Sequence, residues 1–491
     1  MQLSGLGYPD SSETEAPPSE LLLEKGMPPV GGEMVSDVIW ECTEARRRSD
    51  GWGRTGRGKS LQFGGLPMKA AARGTGRLGP LPSAQAEMVS RSDSLHGDRA
   101  PRDNRRFGRS TPNLMTTANL KVGELLKFAL LAEGIAIATS ASEYVASFNG
   151  DRPLTPADYA STSGVILELE GDIWVNAPFA AHNPNFVTEQ SNYELVYDGG
   201  LVVRGDGREV GAKFWLPPAY HGTSNALGEP YNSYAFTHAD RVRISPIEGC
   251  SMTCKFCNLP YEFRYRTKRV ESLVDSVQRA ISDELQPAMH VLISGGTPKS
   301  ADVGYVRDVY QQVLGTFPEV PIDIMMVPRD KLLDPEWLAD LGIGELSVNL
   351  EIFSAERGRL LMRQKAAQGV ESYLQYFEDA ATHLGEHRVR SMLMVGLEPM
   401  EYTLAGVRAI AERGAVPVLS PFRPDPATPL RDLSPPSADF MIETYLRARE
   451  ITAELGSPLG PSCIPCSHNT LTLSAKGTGD AHRFHGHPNT I

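Results

Sequence analysis

From Arg241 onward the chain alternates two hydrophobic rhythms. Short apolar runs fall at 242–246, 290–294, 322–327, 345–352, 390–395 and 416–420. Between them, apolar residues recur at helical spacing, near 271–284, 303–314, 335–341, 355–384 and 404–413. Continuous apolar runs of this length suit strands covered on both faces, and the intervening stretches suit helices that cross from one strand to the next. Six such repeats with short connections predict a parallel sheet, curled into a partial or full (β/α) barrel of the TIM type. In that architecture the chemistry collects at the C-terminal ends of the strands.

The rhythm differs upstream. Leu120, Val122, Leu125, Leu126, Ala129 and Leu130 recur at helical spacing, with Glu124 near the start. Short alternating runs follow at 165–169, 193–197, 201–204 and 212–216, parted by the turns Asp198-Gly199-Gly200 and Gly205-Asp206-Gly207. They predict a small β-rich domain, whose Tyr220, His221 and Tyr231 either line a substrate mouth or pack. Residues 1–115 are rich in Gly, Pro, Ser and Arg without periodicity and read as a disordered tail. The expected order is therefore a tail (1–115), an N-terminal α+β accessory domain (116–240), the barrel (241–435) and a C-terminal helix with a Cys-rich loop (436–491).

Composition narrows the possibilities. A net charge of −12 weighs against a general nucleic-acid binder. The longest apolar stretch, 125–138, is interrupted by Lys127 and Glu133 and is too short to span a membrane. The first residues lack a basic segment followed by an apolar run. Of the six cysteines, Cys42 stands alone, while the other five fall in two tight groups. That distribution points to metal ligation in a reducing cytoplasm rather than to a disulfide scaffold.

The first group is Cys250, Cys254 and Cys257, spaced C-x3-C-x2-C on a loop after the first barrel strand. Three thiolates so close can face one point, and soft ligands suit iron–sulfur clusters or zinc. Zinc knuckles come as paired C-x2-C with four ligands. Three protein ligands instead leave one iron of a cubane open to an exogenous ligand. The spacing, with Phe256 before the last cysteine, resembles the signature of the radical S-adenosylmethionine (SAM) superfamily, in particular the barrels of biotin synthase and lipoyl synthase. The resemblance implies a [4Fe–4S] cluster on these cysteines whose open iron binds SAM. It further implies reductive cleavage of SAM to a 5′-deoxyadenosyl radical, and an electron donor such as flavodoxin or ferredoxin. It leaves open whether SAM is consumed or regenerated.

Further motifs lie where that family contacts SAM. Ser294-Gly295-Gly296-Thr297-Pro298 follows the second strand, where glycines expose backbone groups to a ligand. It resembles the family's Gly-Gly-Glu-type motif, with Thr297 in place of the acid. Asn349 and Glu351 in the fourth strand are expected on one face, because side chains repeat every two residues. The segment resembles the Asn-Leu-Glu of lipoyl synthases. Gly396 stands in a fifth-strand ending that resembles the family's Gly-x-x-Glu-like motif beside the adenine. Arg423, after the sixth strand, is a candidate for a substrate or SAM carboxylate, since guanidinium grips carboxylates bidentately. Arg363, Lys365 and the run Arg264, Arg266, Lys268 and Arg269 compete with it or are solvated charges.

The second group is Cys463, Cys466 and His468, in C-x2-C-x-H. Three readings stand: a second Fe–S cluster, a zinc using these three and one more ligand, or redox thiols at the barrel mouth. On a further reading His468 binds nothing and simply caps the loop. The lipoyl synthase N-terminal triad, the auxiliary-cluster ligands of biotin synthase, the aminomutase lysine motif and a cobalamin domain are all missing from the sequence. The reading is thus a radical SAM enzyme that abstracts hydrogen from a small-molecule or amino-acid-derived substrate. The alternatives are a radical SAM enzyme acting on RNA or on a protein or peptide, and a metal-binding structural protein on a degenerate barrel.

Overall fold

The computed structural model describes residues 120–148, 150, 164–179, 191–329, 331–473 and 488–491. The expected tail and Cys42 lie outside them. Helix α1 (Val122–Glu133) carries Glu124 in its first turn, where its carboxylate accepts the Lys121 amide and satisfies a free helix-end donor. After the two-residue β1 (Ala136–Ile137) and α2 (Thr139–Ser147) come β2 (Gly164–Leu169), β3 (Ile173–Pro178), β4 (Tyr193–Tyr197), β5 (Leu201–Gly205) and β6 (Arg208–Phe214). They form one sheet in the order β1-β4-β5-β6-β2-β3.

β2 is buried along its whole length because both of its faces are covered. Val165, Leu167 and Leu169 join the main core, while Ile166 packs with Trp174, Trp215 and Ile464. Ile464 lies between Cys463 and Cys466, so the accessory sheet holds the C-terminal loop directly.

The barrel sheet begins with β7 (Ala235–His238), which pairs antiparallel with β8 (Arg241–Ile244). Beyond β8 lie β9 (Ile247–Glu248) and β10 (Arg266–Thr267), which pair with each other. β11 (His290–Ile293), β12 (Ile322–Met325), β13 (Leu346–Ser347), β14 (Val389–Val395) and β15 (Val416–Pro421) complete a seven-stranded sheet, β15-β14-β13-β12-β11-β8-β7. From β8 to β15 every pairing is parallel. The result is a half-barrel with one antiparallel edge strand.

The crossovers are α3 (Leu259–Glu262), α4 (Val270–Ile281), α5 (Val303–Thr316), α6 (Pro335–Asp340), α7 (Ala355–Leu361), α8 (Arg363–Ala366), α9 (Val370–Leu384) and α10 (Met400–Ala411), with α11 (Ala438–Glu454) after the sheet. In α4, Leu273, Val277 and Ala280 repeat at helical spacing and are fully buried. Asp334 caps α6 by accepting the Trp337 amide at 2.9 Å, and Pro335 opens it.

Two elements depart from the sequence expectation. The stretch 355–384 is three helices, because Met362 leaves helical geometry (φ −146°) and Gly369 turns at φ 81°. The fourth strand ends at Ser347 instead of running to residue 352. Glu351 adopts φ 66°, left-handed backbone that interrupts the pleat, so alternation does not govern Asn349 and Glu351. Side chains mend the broken ladder. Ser391 Oγ accepts the Leu350 amide at 3.0 Å, and Asn349 Oδ1 accepts the Met392 amide at 3.2 Å.

Residues 459–473 run beside β15. The Gly460 amide donates to Pro417 O, and the Leu471 amide to Leu419 O, both at 2.9 Å. The same segment reaches the other end of the sheet, where the His468 ring lies 6.2 Å from that of His238 in β7. It therefore spans the open side of the half-barrel, between β15 and β7. Lys127 of α1, fully buried, donates to Ser467 O at 3.0 Å and secures it.

Candidate active site

The Cys250–Cys257 loop leaves the sheet at the C-terminal end of β8 and is pinned on three sides. Pairing of β9 with β10 clamps its base. On the second-strand side, the Ser251 amide donates to Thr297 O at 3.0 Å and the Thr297 amide donates to Cys250 Sγ at 3.2 Å. On the fourth-strand side, the Lys255 amide donates to Leu361 O at 2.8 Å and Thr253 Oγ1 to Gln364 Oε1 at 3.1 Å. Gly249 makes the turn into the loop at φ 69°, and a Cβ there would lie 2.7 Å from Phe263 O.

Gly295 and Gly296 stand where a side chain has no room. A Cβ on Gly295 would meet Ser245 Oγ at 1.9 Å, and one on Gly296 would meet Gly249 O at 1.6 Å. The glycines let the cysteine loop seat directly on the end of β11. Thr297 follows, buried, with its backbone bound to that loop.

Burial pushes the Cys254 thiol up to about 12 and the Cys257 thiol up to about 11. Free Cys254 and Cys257 hold their protons at neutral pH, so their thiolates need the positive charge of a metal to form. The three donors fit an iron–sulfur cluster: they share one half-buried loop, and Cys250 already accepts the Thr297 and Met252 amides (3.2 and 3.4 Å), as cluster-ligating sulfurs do. The remaining two cysteines of the described residues, Cys463 and Cys466, lie elsewhere.

Glu351 comes to this loop, close enough to raise both Cys254 and Cys257 further through its charge. Lys365 Nζ lies 2.8 Å from Glu351 Oε2, in an almost completely buried pair. That oxygen makes no directional hydrogen bond among the described residues. Asn349, by contrast, is committed to Ser347 Oγ (2.9 Å) and the Met392 amide. Gly396 sits at φ 101° against Pro436, 3.1 Å from where a Cβ would be. Glu398, two residues on, accepts the Phe353 and Ser354 amides at 3.1 and 2.7 Å and ties the end of β14 to the start of α7.

Phe256 packs with Cys254, Leu361 and Met394 against Ile352 and Phe422. With Met394, Ser420, Phe422, Arg423 and Asn469 it lines a cleft at the strand ends. Arg423 is held from the accessory sheet: Nη1 donates to Asn176 Oδ1 at 2.9 Å and Nη2 to Asn176 O at 2.7 Å. Its Nε and the Asn176 amide nitrogen are buried without hydrogen-bond partners among the described residues. Burial lowers the Arg423 guanidinium to about 10.

Three of the competing basic residues are otherwise engaged. Arg266 pairs with Glu248, Arg269 lies 3.4 Å from Glu229, and Lys268 donates to Ser233 O at 2.6 Å. Tyr220 and His221 are buried, and the Tyr220 hydroxyl meets Thr237 Oγ1 at 2.8 Å, so they pack rather than line a mouth. Arg329, which the sequence reading passed over, follows β12 and contacts Ser251 Oγ (3.4 Å) and Pro298 O (3.3 Å) beside the cysteine loop. Its signal was position, just beyond a strand's C-terminal end.

Cys463 and Cys466 lie at the opposite end of the sheet, against Asp240, just before β8, and His290, the first residue of β11. His468 is not one of these donors. Its Nδ1 faces Pro465 O at 2.9 Å, and burial holds the imidazole at about 3, hence neutral.

The match to a family model agrees with this geometry. Residues 244–403 match the model of the radical SAM superfamily. The chain is 26% identical over 135 residues to bacteriochlorophyllide c C-7(1)-hydroxylase of Chlorobaculum limnaeum, over 27% of this chain and about a third (34%) of that protein. Among solved structures, a radical SAM methyltransferase from Sphaerobacter thermophilus is 16% identical, with 53% of this chain and 71% of that chain covered and a TM-score of 0.37. Streptococcus suis SuiB bound to the precursor peptide SuiA is 14% identical, with coverage of 48% and 52% and a TM-score of 0.36. No helix among the described residues is long and apolar enough to cross a membrane. With the cysteine loop seated on β11 and the family match running from Ile244 through the barrel, residues 244–403 form a radical SAM domain.

Proposed function

We propose that this protein holds a [4Fe–4S] cluster on Cys250, Cys254 and Cys257, cleaves SAM reductively, and removes a hydrogen atom from a carbon of a small substrate that carries an acceptor group such as a carboxylate. The observation that carries the reading is the three-cysteine loop, pinned by Thr297 and by Leu361 and backed by Gly296. When bound, the cluster and SAM supply the electron transfer and the carbon-centred radical that takes the hydrogen.

The residues of this chain have separate tasks in that reading. Glu351 offers SAM a buried carboxylate oxygen with unused hydrogen-bonding capacity, suited to ribose hydroxyls or an ammonium, and Lys365 holds it in place. Phe256, Met394 and Phe422 keep water from the reacting carbon. Arg423 lines the cleft, held there by Asn176, and its unpaired Nε–H is the donor we assign to a carboxylate on the substrate. The hydroxylase relative supports a carbon-bound hydrogen as target, since its named reaction replaces hydrogen on carbon. A one-electron donor of the flavodoxin or ferredoxin kind and a reducing, cytoplasmic setting complete the proposal.

The test is anaerobic reconstitution with iron and sulfide, reduction with dithionite, and addition of SAM. About four irons per chain and formation of 5′-deoxyadenosine are expected. Iron without SAM cleavage under these conditions sinks the enzymatic reading.

A further inference from the structure

Asp240, His290, Cys463 and Cys466 bring four donor atoms within 4.8 Å of one another, and all four residues are buried. Cys463 Sγ lies 3.4 Å from Asp240 Oδ1 and 3.8 Å from His290 Nε2. Cys466 Sγ lies 3.5 Å from Asp240 Oδ1 and 3.4 Å from His290 Nε2. His290 Nε2 and Asp240 Oδ1 are 3.3 Å apart.

These edges can be compared with those a metal would impose. Zinc binds sulfur at about 2.3 Å and nitrogen or oxygen at about 2.0–2.1 Å, so tetrahedral geometry sets nitrogen–oxygen edges of about 3.3 Å and edges from sulfur to nitrogen or oxygen of about 3.5 Å. The nitrogen–oxygen edge stands at 3.3 Å, and the edges from sulfur run from 3.4 to 3.8 Å, the longest being Cys463 to His290. A cluster would spread its ligands over several irons, and four donors this close leave room for a single ion.

The surroundings suit an ion as well. The Cys466 amide donates to Cys463 Sγ at 3.4 Å, the turn a metal-binding C-x2-C loop makes. Asp323 Oδ2 lies 3.8 Å from Nδ1 of His290, on the side where a metal-bound imidazole is steadied by a carboxylate, and Arg390 holds Asp323 at 3.4 Å. Two thiolates and a carboxylate around a divalent ion leave one net negative charge, which the neighbouring Arg241 offsets.

We infer that these four side chains form a closed structural zinc site at the N-terminal end of the barrel strands, remote from the Cys250 loop, with Asp240 and His290, not His468, completing the Cys463–Cys466 pair. Its role follows from its place. The ion joins residues 459–473, which run beside β15, to the starts of β8 and β11, and so clasps the open side of the half-barrel. Asn469, three residues beyond Cys466, lines the substrate cleft, and its carbonyl accepts from Ser420 Oγ at 3.3 Å. The clasp thereby positions one wall of that cleft.

The test uses the full chain with Cys250, Cys254 and Cys257 all changed to Ser, purified anaerobically from zinc-supplemented medium. Elemental analysis is expected to give about one zinc per chain, falling to below about one-tenth in Cys466→Ala, while His290→Cys, which keeps a ligand, retains it. Cobalt in place of zinc is expected to show thiolate-to-metal charge-transfer absorption. The zinc content and the cobalt spectrum of the parent chain decide the matter even if Cys466→Ala fails to fold. No zinc in the parent, iron in its place, or a Cys463–Cys466 disulfide found by mass spectrometry overturns the inference.

Discussion

Lys365 Nζ and Glu351 Oε2 lie 2.8 Å apart with side chains only 4% and 14% exposed, so neither charge has water to fall back on. Removing one partner of a buried pair leaves the other uncompensated at a cost of about 3–5 kcal/mol. Lys365→Met is therefore expected to lower the denaturant midpoint strongly, and the double variant Lys365→Met/Glu351→Gln to recover most of the loss. Turnover is expected to separate from stability: the double variant folds, keeps its iron, and still forms 5′-deoxyadenosine about 10–100-fold more slowly. Equal activity in wild type and double variant would remove Glu351 from the SAM pocket.

Gly296 is tested by a single methyl. Its Cβ would sit 1.6 Å from Gly249 O, and Gly249 opens the cysteine loop. Gly296→Ala must push that loop off β11 and is expected to reduce the iron taken up on reconstitution several-fold. Gly304→Ala is the control. Its Cβ meets nothing within 4 Å, it lies in α5, and it is expected to leave iron uptake intact and raise stability by up to about 1 kcal/mol.

The barrel and the first cysteine group were legible in the sequence for a shared reason: both are written locally. Parallel strands covered on two faces, such as β11, read as apolar runs, and Cys250, Cys254 and Cys257 stand within eight residues. What the sequence concealed depends on the fold closing. Asp240 and His290 lie 223 and 173 residues from Cys463, and at the start of a strand a lone acid or histidine looks like any turn residue. Lys365 passed for a solvated charge because the break at Met362 that turns it inward has no proline or glycine to mark it. The left-handed Glu351 defeated the period-two rule in the same way.

Arg423 couples the accessory sheet to the rim of the cleft through its two bonds to Asn176. Hydrogen bonds to a charged group contribute about 1.5–3 kcal/mol, so Arg423→Met is expected to lower the thermal midpoint by several degrees. Arg423→Lys, which cannot span Oδ1 and the carbonyl at once, is expected to recover only part of this. Iron content is expected to stay at the wild-type level in both, because neither bond touches the cysteine loop. Loss of iron in Arg423→Lys would show instead that the residue supports the cluster.

Alkaline pH probes the barrel core through its phenols. Burial raises Tyr310 and Tyr220 well above the ordinary tyrosine value, and burial, with the Lys268 carbonyl accepting its hydroxyl, leaves Tyr305 at about 12. A group whose pKa is higher folded than unfolded contributes stability that is complete below the unfolded value and is lost as pH rises through the folded one. The unfolded chain begins to release these protons near pH 10, so stability is expected to hold to about pH 9.5 and to fall steeply by about pH 11. Denaturant midpoints across that range measure the fall, and the absorbance of tyrosinate in the native protein should lag behind that of the unfolded chain. Tyr310→Phe deletes one of these protons and is expected to make the decline shallower. A wild-type midpoint that stayed level to pH 11 would mean that these phenols ionise without opening the core.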